Sequence, residues 1–488
     1  MQSPKTKMMT KTLMVACAAA MTLLAGCGSN STMTSMTGGS GTAAPMVVTV
    51  SDAPLGNILS ARVTLASVSL STGASGSTPV SALSSPVTVE LSGLGAMQEP
   101  IEVSTIPSGT YTSVTLTVSA ATVVYTNASG QVTTATATLS NPTITVPLSP
   151  SLVVNSNAEI QLQLAFNLAQ SFSITGTTVT FTPAINTSGA QVGQENPGDR
   201  QVEVTGNVVS TSSSSIVVQS GDSGKQFTFT VNSTTQLPSG VMLSAIPTGA
   251  IVQVMGQTQT DGTILATSIT VESTQSSAGS DQNGAKGIVL SVNSSGGTIT
   301  SFTMLPREDF GTGMGNVTGS LTVNLSSATM YALPEDAVNA GLSSSSFGAA
   351  DLFPGEAVMV SGGLSGTTNA PVIAATQIML AAESIPGTLV ATPTGTAPNY
   401  SFSMSISVPS FLTTYGKMVT LNATTSSATE YGNGLTESGF AALAASTSIE
   451  VHGYLLQTSP GTFQLYATKI AQVEAPETPE GGNSGGDN

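Results

Sequence analysis

From Met46 onward, apolar residues recur at every second position, with no helical period of useful length. Val48 and Val50 lead into Ser51-Asp52-Ala53-Pro54, a turn, and Val63 and Leu65 are followed by Val68 and Leu70. That change of phase predicts a β-bulge near Ala66 and Ser67. Val87, Val89 and Leu91 continue the alternation. After the turn signal Ile106-Pro107-Ser108-Gly109-Thr110-Tyr111, Val114, Leu116 and Val118 face one way with Thr115 and Thr117 between them. The clearest strand is Ile160 to Leu168, where Ile160, Leu162, Leu164, Phe166 and Leu168 keep period two. Short strands separated by turns predict an antiparallel β-sandwich over 46–187.

Beyond a polar linker at 188–200 the chain repeats an ordered set of landmarks three times. The first unit, 201–273, carries Gly206-Asn207-Val208, then Val231-Asn232 with Thr235, then Ile251-Val252-Gln253-Val254-Met255-Gly256, and finally Leu265-Ala266-Thr267-Ser268-Ile269. After a linker at 274–284, the second, 285–383, has Gly287-Ile288-Val289, Val323-Asn324 with Thr329, Ala357 to Gly362, and Ala374 to Ile378. The third, 384–473, has Gly387-Thr388-Leu389, Leu421-Asn422 with Thr429, Ser448 to Gly453, and Tyr466 to Ile470. Four landmarks in one order, three times, indicate an internal repeat. The glycine closing each V-x-V-x-G segment predicts a sharp turn there. A unit this short, without disulfides, hides its strand edges best by closing into a small OB-like barrel. The fold class expected is therefore all-β: an antiparallel β-sandwich followed by three small β-barrel-like repeats. Inserts fall at matching places in units two and three, 334–350 and 435–447, the latter with a short helix around Phe440; such inserts are where binding can reside.

Upstream of the sandwich, Lys5, Lys7 and Lys11 precede an apolar run from Leu13 to Leu24 that is too short to span a bilayer, which needs about 20 residues. With the small residues Ala25-Gly26 it reads as a secretory signal over 1–26. The ending Leu24-Ala25-Gly26-Cys27 resembles the lipobox of bacterial lipoproteins. The resemblance implies cleavage between Gly26 and Cys27 and a lipid on the Cys27 thiol. Gly28 stands where that family places Asp for inner-membrane retention, which implies an outer-membrane lipoprotein, periplasmic or surface-exposed. Residues 27–45, rich in Gly, Ser and Thr, read as a flexible tether, and 474–488 as a disordered acidic tail.

Val50-Ser51-Asp52-Ala53-Pro54, Ile106-Pro107-Ser108-Gly109-Thr110-Tyr111 and Leu164-Ala165-Phe166-Asn167-Leu168 together resemble an uncharacterised bacterial lipoprotein family. Its N-terminal domain of unknown function is thought to be a transthyretin-like or carboxypeptidase-regulatory-like sandwich, and the repeats resemble a unit of unknown function that follows it. Family members often carry acidic residues where this chain has Ala165 and Asn167, so no cation site is implied in that strand.

Composition narrows the chemistry. The formal charge is −16; losing Lys5, Lys7 and Lys11 with the signal leaves seven of the 10 basic residues against 26 acidic ones, or −19. An envelope that negative repels phosphate backbones, so nucleic acid is not expected as a partner. The expected partners are the membrane, through the lipid on Cys27, and an envelope protein or a polysaccharide. Trp is absent and aromatics are 4%, which leaves little to stack sugars on.

Of the two cysteines, Cys17 lies in the signal and Cys27 is the lipid acceptor, so no disulfide or thiolate metal site is expected. The sole histidine, His452, reads as a solvent-facing strand residue, with no G-x-S-x-G elbow to give it a nucleophile. Asp222, Asp261 and Asp281 stand apart rather than in a calcium loop, and Asp261-Gly262 reads as a hairpin turn. Glu159 and Asp52 are carboxylates that a hydrolase could use, though spacing singles out no pair. The expectation is a non-enzymatic envelope protein without cofactor, metal or catalytic residue. The alternatives are an extracellular carbohydrate-binding or adhesive protein and a carboxylate-dependent extracellular hydrolase.

Overall fold

A computed structural model describes the chain from residue 43 to residue 473. Short stretches are left out: 54–56, 95–96, 128, 157, 193–199, 239, 274–282, 311–318, 344–346, 368–369, 407–410, 415–417, 433 and 460. The signal, Cys27, most of the tether and the acidic tail therefore lie outside the described residues, as does Asp281. The described part falls within one unit, Ser40–Asn488, and is 64% strand and 6% helix. The fold is all-β, a sandwich followed by three OB-like barrels.

One sandwich sheet is built from β1 (Ala43–Ala53), β4 (Glu99–Pro107), β7 (Ile160–Asn167) and β8 (Ile185–Gln191), in the order β8-β7-β1-β4. The facing sheet is built on β2 (Ile58–Ser71) and β5 (Gly109–Thr126), with β3 (Val87–Glu90) on β2 and β6 (Thr143–Val154) on β5. Alternation does what the sequence pattern demands: Val63, Leu65, Val68, Leu70, Val114, Leu116 and Val118 meet Met46, Val48, Val50, Leu162 and Leu164 in one core. The register of β2 on β5 slips between Leu65 and Ser67, the bulge that the phase change predicts. The central pairing of β1 with β7, Met46 opposite Ile160, is parallel, whereas the other main pairings are antiparallel. The alternation tells which face is buried but not which way a neighbour runs.

Each barrel uses five strands. Barrel 1 has β9 (Gln201–Thr211), β10 (Ser215–Ser220), β11 (Gln226–Thr230), β12 (Ile251–Thr258) and β13 (Ile264–Ser273), closed in the order β9-β10-β11-β13-β12. Barrel 2 repeats this with β14 (Asn283–Ser295), β15 (Thr298–Phe310), β16 (Leu321–Asn324), β17 (Ala357–Thr367) and β18 (Ala370–Leu380). Barrel 3 does so with β19 (Glu383–Leu389), β20 (Asn399–Ile406), β21 (Thr420–Thr424), β22 (Ser448–Ser459) and β23 (Thr462–Gln472). In all three the third and fifth strands pair in parallel and the first and fourth antiparallel, the Greek-key closure of an OB-like barrel.

The landmarks have physical causes. Thr235, Thr329 and Thr429 each donate through Oγ1 to a carbonyl of the fifth strand, Ala266, Ala375 and Ala467, at 2.7, 2.9 and 2.7 Å. The same hydroxyl accepts from the backbone N–H three residues earlier, at Asn232, Ser326 and Ser426, and so ties the loop to the barrel. The V-x-V-x-G glycines do not end their strands: Gly256, Gly362 and Gly453 lie within them, at bulges against the fifth strand. A Cβ at Gly362 or Gly453 would sit 2.1 or 2.2 Å from the carbonyl oxygen of Ala374 or Tyr466. Close backbone approach, rather than a turn, therefore keeps glycine there. The inserts carry α1 (Glu335–Asn339) and α2 (Glu437–Ala441), the latter capped by Thr436 and burying Phe440.

Candidate functional site

The barrels do not hang separately from the sandwich. Leu59 and Val124 of the sandwich share a cluster with Ile288 and Leu305 of barrel 2 and Phe411 of barrel 3. Tyr454 and Leu456 of β22 are buried in the core of barrel 2, and the Tyr454 hydroxyl donates to Asp336 of α1 at 2.7 Å. Between sandwich and barrel 1 runs a polar seam: Thr49 and Gln161 both donate to Gln98 Oε1, at 2.6 and 2.7 Å. Thr258 donates to Gln161 at 2.7 Å, and the Glu203 N–H donates to the Gln98 carbonyl at 2.9 Å.

Where sandwich, barrel 1 and barrel 2 converge, ionisable groups surround a cavity of about 30 Å³, roughly the volume of one water. Its lining includes Glu90 and Glu99 of the sandwich, Glu203 and Asp222 of barrel 1, and Lys286, Arg307 and Glu308 of barrel 2. Lys286 Nζ lies 2.9 Å from Glu203 and 3.5 Å from Glu308. Arg307 Nε donates to the Leu59 carbonyl at 2.8 Å, and Arg62 donates to the Arg307 carbonyl at 2.6 Å. The Glu90 carboxylate accepts from the Ala61 N–H and Ser92, and its own N–H donates to Asp222. Ser220 donates to Glu99 at 2.9 Å.

Environment splits these acids. Burial pushes Glu203 up, but Lys286, His452 and the Gln253 amide outweigh it and hold its carboxyl at about 2. Burial pushes Glu99 well above the ordinary range, reinforced by Asp222 and Glu308. Asp222 is pushed up too, by burial first, against the Glu90 N–H and Arg62. Two buried carboxyls that line one cavity and are poorly compensated favour keeping a proton there over carrying two charges.

His452 is buried, 4% exposed, which corrects the solvent-facing expectation. Its strand lies inside the assembly, because barrel 3 packs this edge against the other domains. Nδ1 faces the Ser384 hydroxyl at 3.1 Å and Nε2 lies 3.8 Å from Glu203; burial holds the imidazole down at about 4. Serine, histidine and carboxylate thus stand in a row, but Ser384 is the cross-strand neighbour of His452 and its hydroxyl turns to the Leu94 carbonyl at 3.5 Å.

The other acids singled out from sequence are dispersed. Asp52 is buried in β1, and Glu159 is buried beside the Asp261-Gly262 hairpin, where burial and then Asp261 push it to about 8. Asp261 accepts from Thr263 as a hairpin residue, with Gly262 at φ 87°. Asp222 is the one the structure carries into the junction. Sequence reasoning missed Glu99, Glu203, Lys286 and Arg307 as a group. The one signal available was a rare charge inside an alternating strand.

The architecture defines a multidomain all-β protein, one sandwich and three OB-like barrels joined through a charged junction. Residues 43–183 match a family described as Domain of unknown function (DUF4382), and residues 205–270 one described as Domain of unknown function (DUF5666). No match is found among the curated proteins. Solved structures similar to the chain include the wild-type single-stranded DNA binding protein from Thermus aquaticus, at 11% identity and TM-score 0.17, covering 42% of this chain and 98% of that one. A deletion mutant of the same protein matches at 12% identity and TM-score 0.16, covering 41% and 97%. Of the expected partner set, the membrane through Cys27, an envelope protein or a polysaccharide with nucleic acid excluded, the last part is corrected: the matching solved structures are single-stranded DNA binding proteins, and the exclusion of nucleic acid is withdrawn. That exclusion rested on net charge alone, which does not by itself rule out a nucleic-acid partner. At these TM-scores the likeness carries no argument for what this chain binds.

Proposed function

We propose that the protein is a non-enzymatic, lipid-anchored module of the bacterial cell envelope, whose four β domains act as one rigid body. The observation that carries this reading is the junction itself. Lys286 of barrel 2 is taken up by Glu203 of barrel 1 and Arg307 of barrel 2 by the Leu59 carbonyl of the sandwich, around space for about one water, as expected of a structural lock rather than a substrate site. The order Lys5, Lys7 and Lys11, apolar run, then Leu24-Ala25-Gly26-Cys27 supports lipid attachment at Cys27, with Gly28 favouring the outer membrane. Labelling cells with an alkyne palmitate analogue tests it: the wild type should carry label and partition into detergent, and Cys27→Ala should lose both. Equal labelling of the two would refute the anchor.

A further inference from the structure

The turn Ser220–Gly224, which joins β10 to β11, carries Asp222 into the junction and packs against barrel 2. Its Gly221 N–H donates to the Thr205 carbonyl at 3.0 Å, and a Cβ at Gly221 would lie 2.3 Å from the Phe310 ring of barrel 2. Ser220 Oγ donates to Glu99 of β4 and accepts from the N–H groups of Asp222 and Ser223, at 3.2 and 3.0 Å. Asp222 Oδ2 accepts from the Glu90 N–H, while Oδ1 is enclosed without a hydrogen-bond partner.

The charges facing this turn do not balance. Glu90 of β3 accepts from the Ala61 N–H and the Ser92 hydroxyl, and Glu203 of β9 and Glu308 of β15 flank Lys286 of β14. Arg62 of β2 and Arg307 of β15 direct donors to backbone carbonyls. Five carboxyls thus face three cations at the junction.

We propose that the Ser220–Gly224 turn is a pH-operated latch: one proton kept between Glu99 and Asp222 holds barrel 1 against the sandwich. Its loss to solvent base leaves two carboxylates in one cavity on either side of Ser220, and their repulsion drives the turn out. The inference goes beyond the envelope role and is independent of Cys27. Burial raises both carboxyls first; Asp222 and Glu308 add to it at Glu99, and Glu90 and Glu308 at Asp222, so the latch opens as pH rises above the ordinary carboxyl range. Opening also breaks the Lys225–Glu102 pair, 2.9 Å apart, just beyond the turn.

Amide hydrogen exchange on the full chain reads this locally. Corrected for intrinsic rate, peptides covering 218–226 should lose about tenfold in protection between about pH 6 and about pH 9, while barrel 3 peptides covering 420–425 keep theirs. Asp222→Asn and, independently, Glu99→Gln should abolish the pH dependence in 218–226, so either variant suffices if the other fails to fold. Unchanged wild-type protection, an equal loss in the folded variants, or a loss shared by barrel 3 would each overturn the latch.

Discussion

Replacing Lys286 by Met leaves its side-chain volume nearly intact and removes the positive charge between Glu203 and Glu308. Glu203 is held at about 2 instead of 4.5 in the folded protein, a difference worth about 3 kcal/mol in favour of its ionised form. Lys286, 2.9 Å away, is the largest favourable contributor, against the opposing effect of burial. Removing one partner of a buried pair costs about 3–5 kcal/mol because the other charge is stranded, so Lys286→Met should destabilise by about 3 kcal/mol. The stabilisation from the depressed Glu203 is present above its unfolded pKa near 4.5 and is lost as pH falls toward 2. In Lys286→Met burial alone dominates, Glu203 moves upward, and that part of the pH dependence reverses. With Trp absent, urea unfolding is best followed by circular dichroism. The double variant Lys286→Met with Glu203→Gln should recover more than half of the loss, since the nearer carboxylate is then neutral and only Glu308, 3.5 Å from the lost ammonium, is left without its partner. A single variant within about 0.5 kcal/mol of wild type, or a double variant no better than the single, would refute the account of the junction.

Burial holds His452 at about 4, so the unfolded chain binds its proton first; the stability this confers is complete above about 6.5 and lost as pH falls toward 4. His452→Gln should flatten thermal stability across that window, and an unchanged slope would place the titration elsewhere. Glu159, pushed to about 8, has the opposite sign: stability falls as pH rises from about 4.5 to 8, and Glu159→Gln should raise it above pH 8 by up to about 5 kcal/mol. Melting at about pH 9 measures this, and no gain would count against the raised carboxyl. Thr429→Val should cost about 1–3 kcal/mol by orphaning the Ser426 N–H and the Ala467 carbonyl, and Thr329→Val about the same, because the two loops share one geometry. Unequal losses in urea titrations would break the equivalence. Gly453→Ala in barrel 3, with a carbonyl 2.2 Å from the new carbon, should destabilise the protein more than Gly363→Ala in barrel 2, where nothing lies within 4 Å. Comparing the soluble yield and melting of the two decides it.

The parts of this fold legible from sequence are those set by local periodicity. The Leu65–Ser67 bulge shows as a phase change, β7 as four of five apolar residues at period two, with Leu168 just past its end, and the repeats as Thr and Gly landmarks whose bonds are local to one barrel. What the period cannot convey is what an outward-facing residue meets once a second domain arrives. His452 alternates correctly with Val451 and is polar, so an isolated barrel would place it in water; docking buries it against Ser384 and Glu203. Glu99, Glu203, Lys286 and Arg307 are hidden for the same reason, since residues up to 248 positions apart meet only in the assembled junction.

The scarcity of charge in this chain, 7% of residues, then acquires a meaning beyond solubility. In a protein whose surface is covered by Ser, Thr, Asn and Gln, a charge inside a strand is rare and its burial costly unless a partner is supplied. Glu203 and Lys286 are supplied to each other only when barrels 1 and 2 adopt one relative placement, and the Arg62–Arg307–Leu59 bonds require a second between barrel 2 and the sandwich. Apolar contacts such as Leu59 with Ile288 tolerate sliding; these bonds do not. Selecting one arrangement of similar barrels is therefore the task this geometry assigns to the few charges, which places the sensitivity of the whole assembly to pH in the same residues that hold it together.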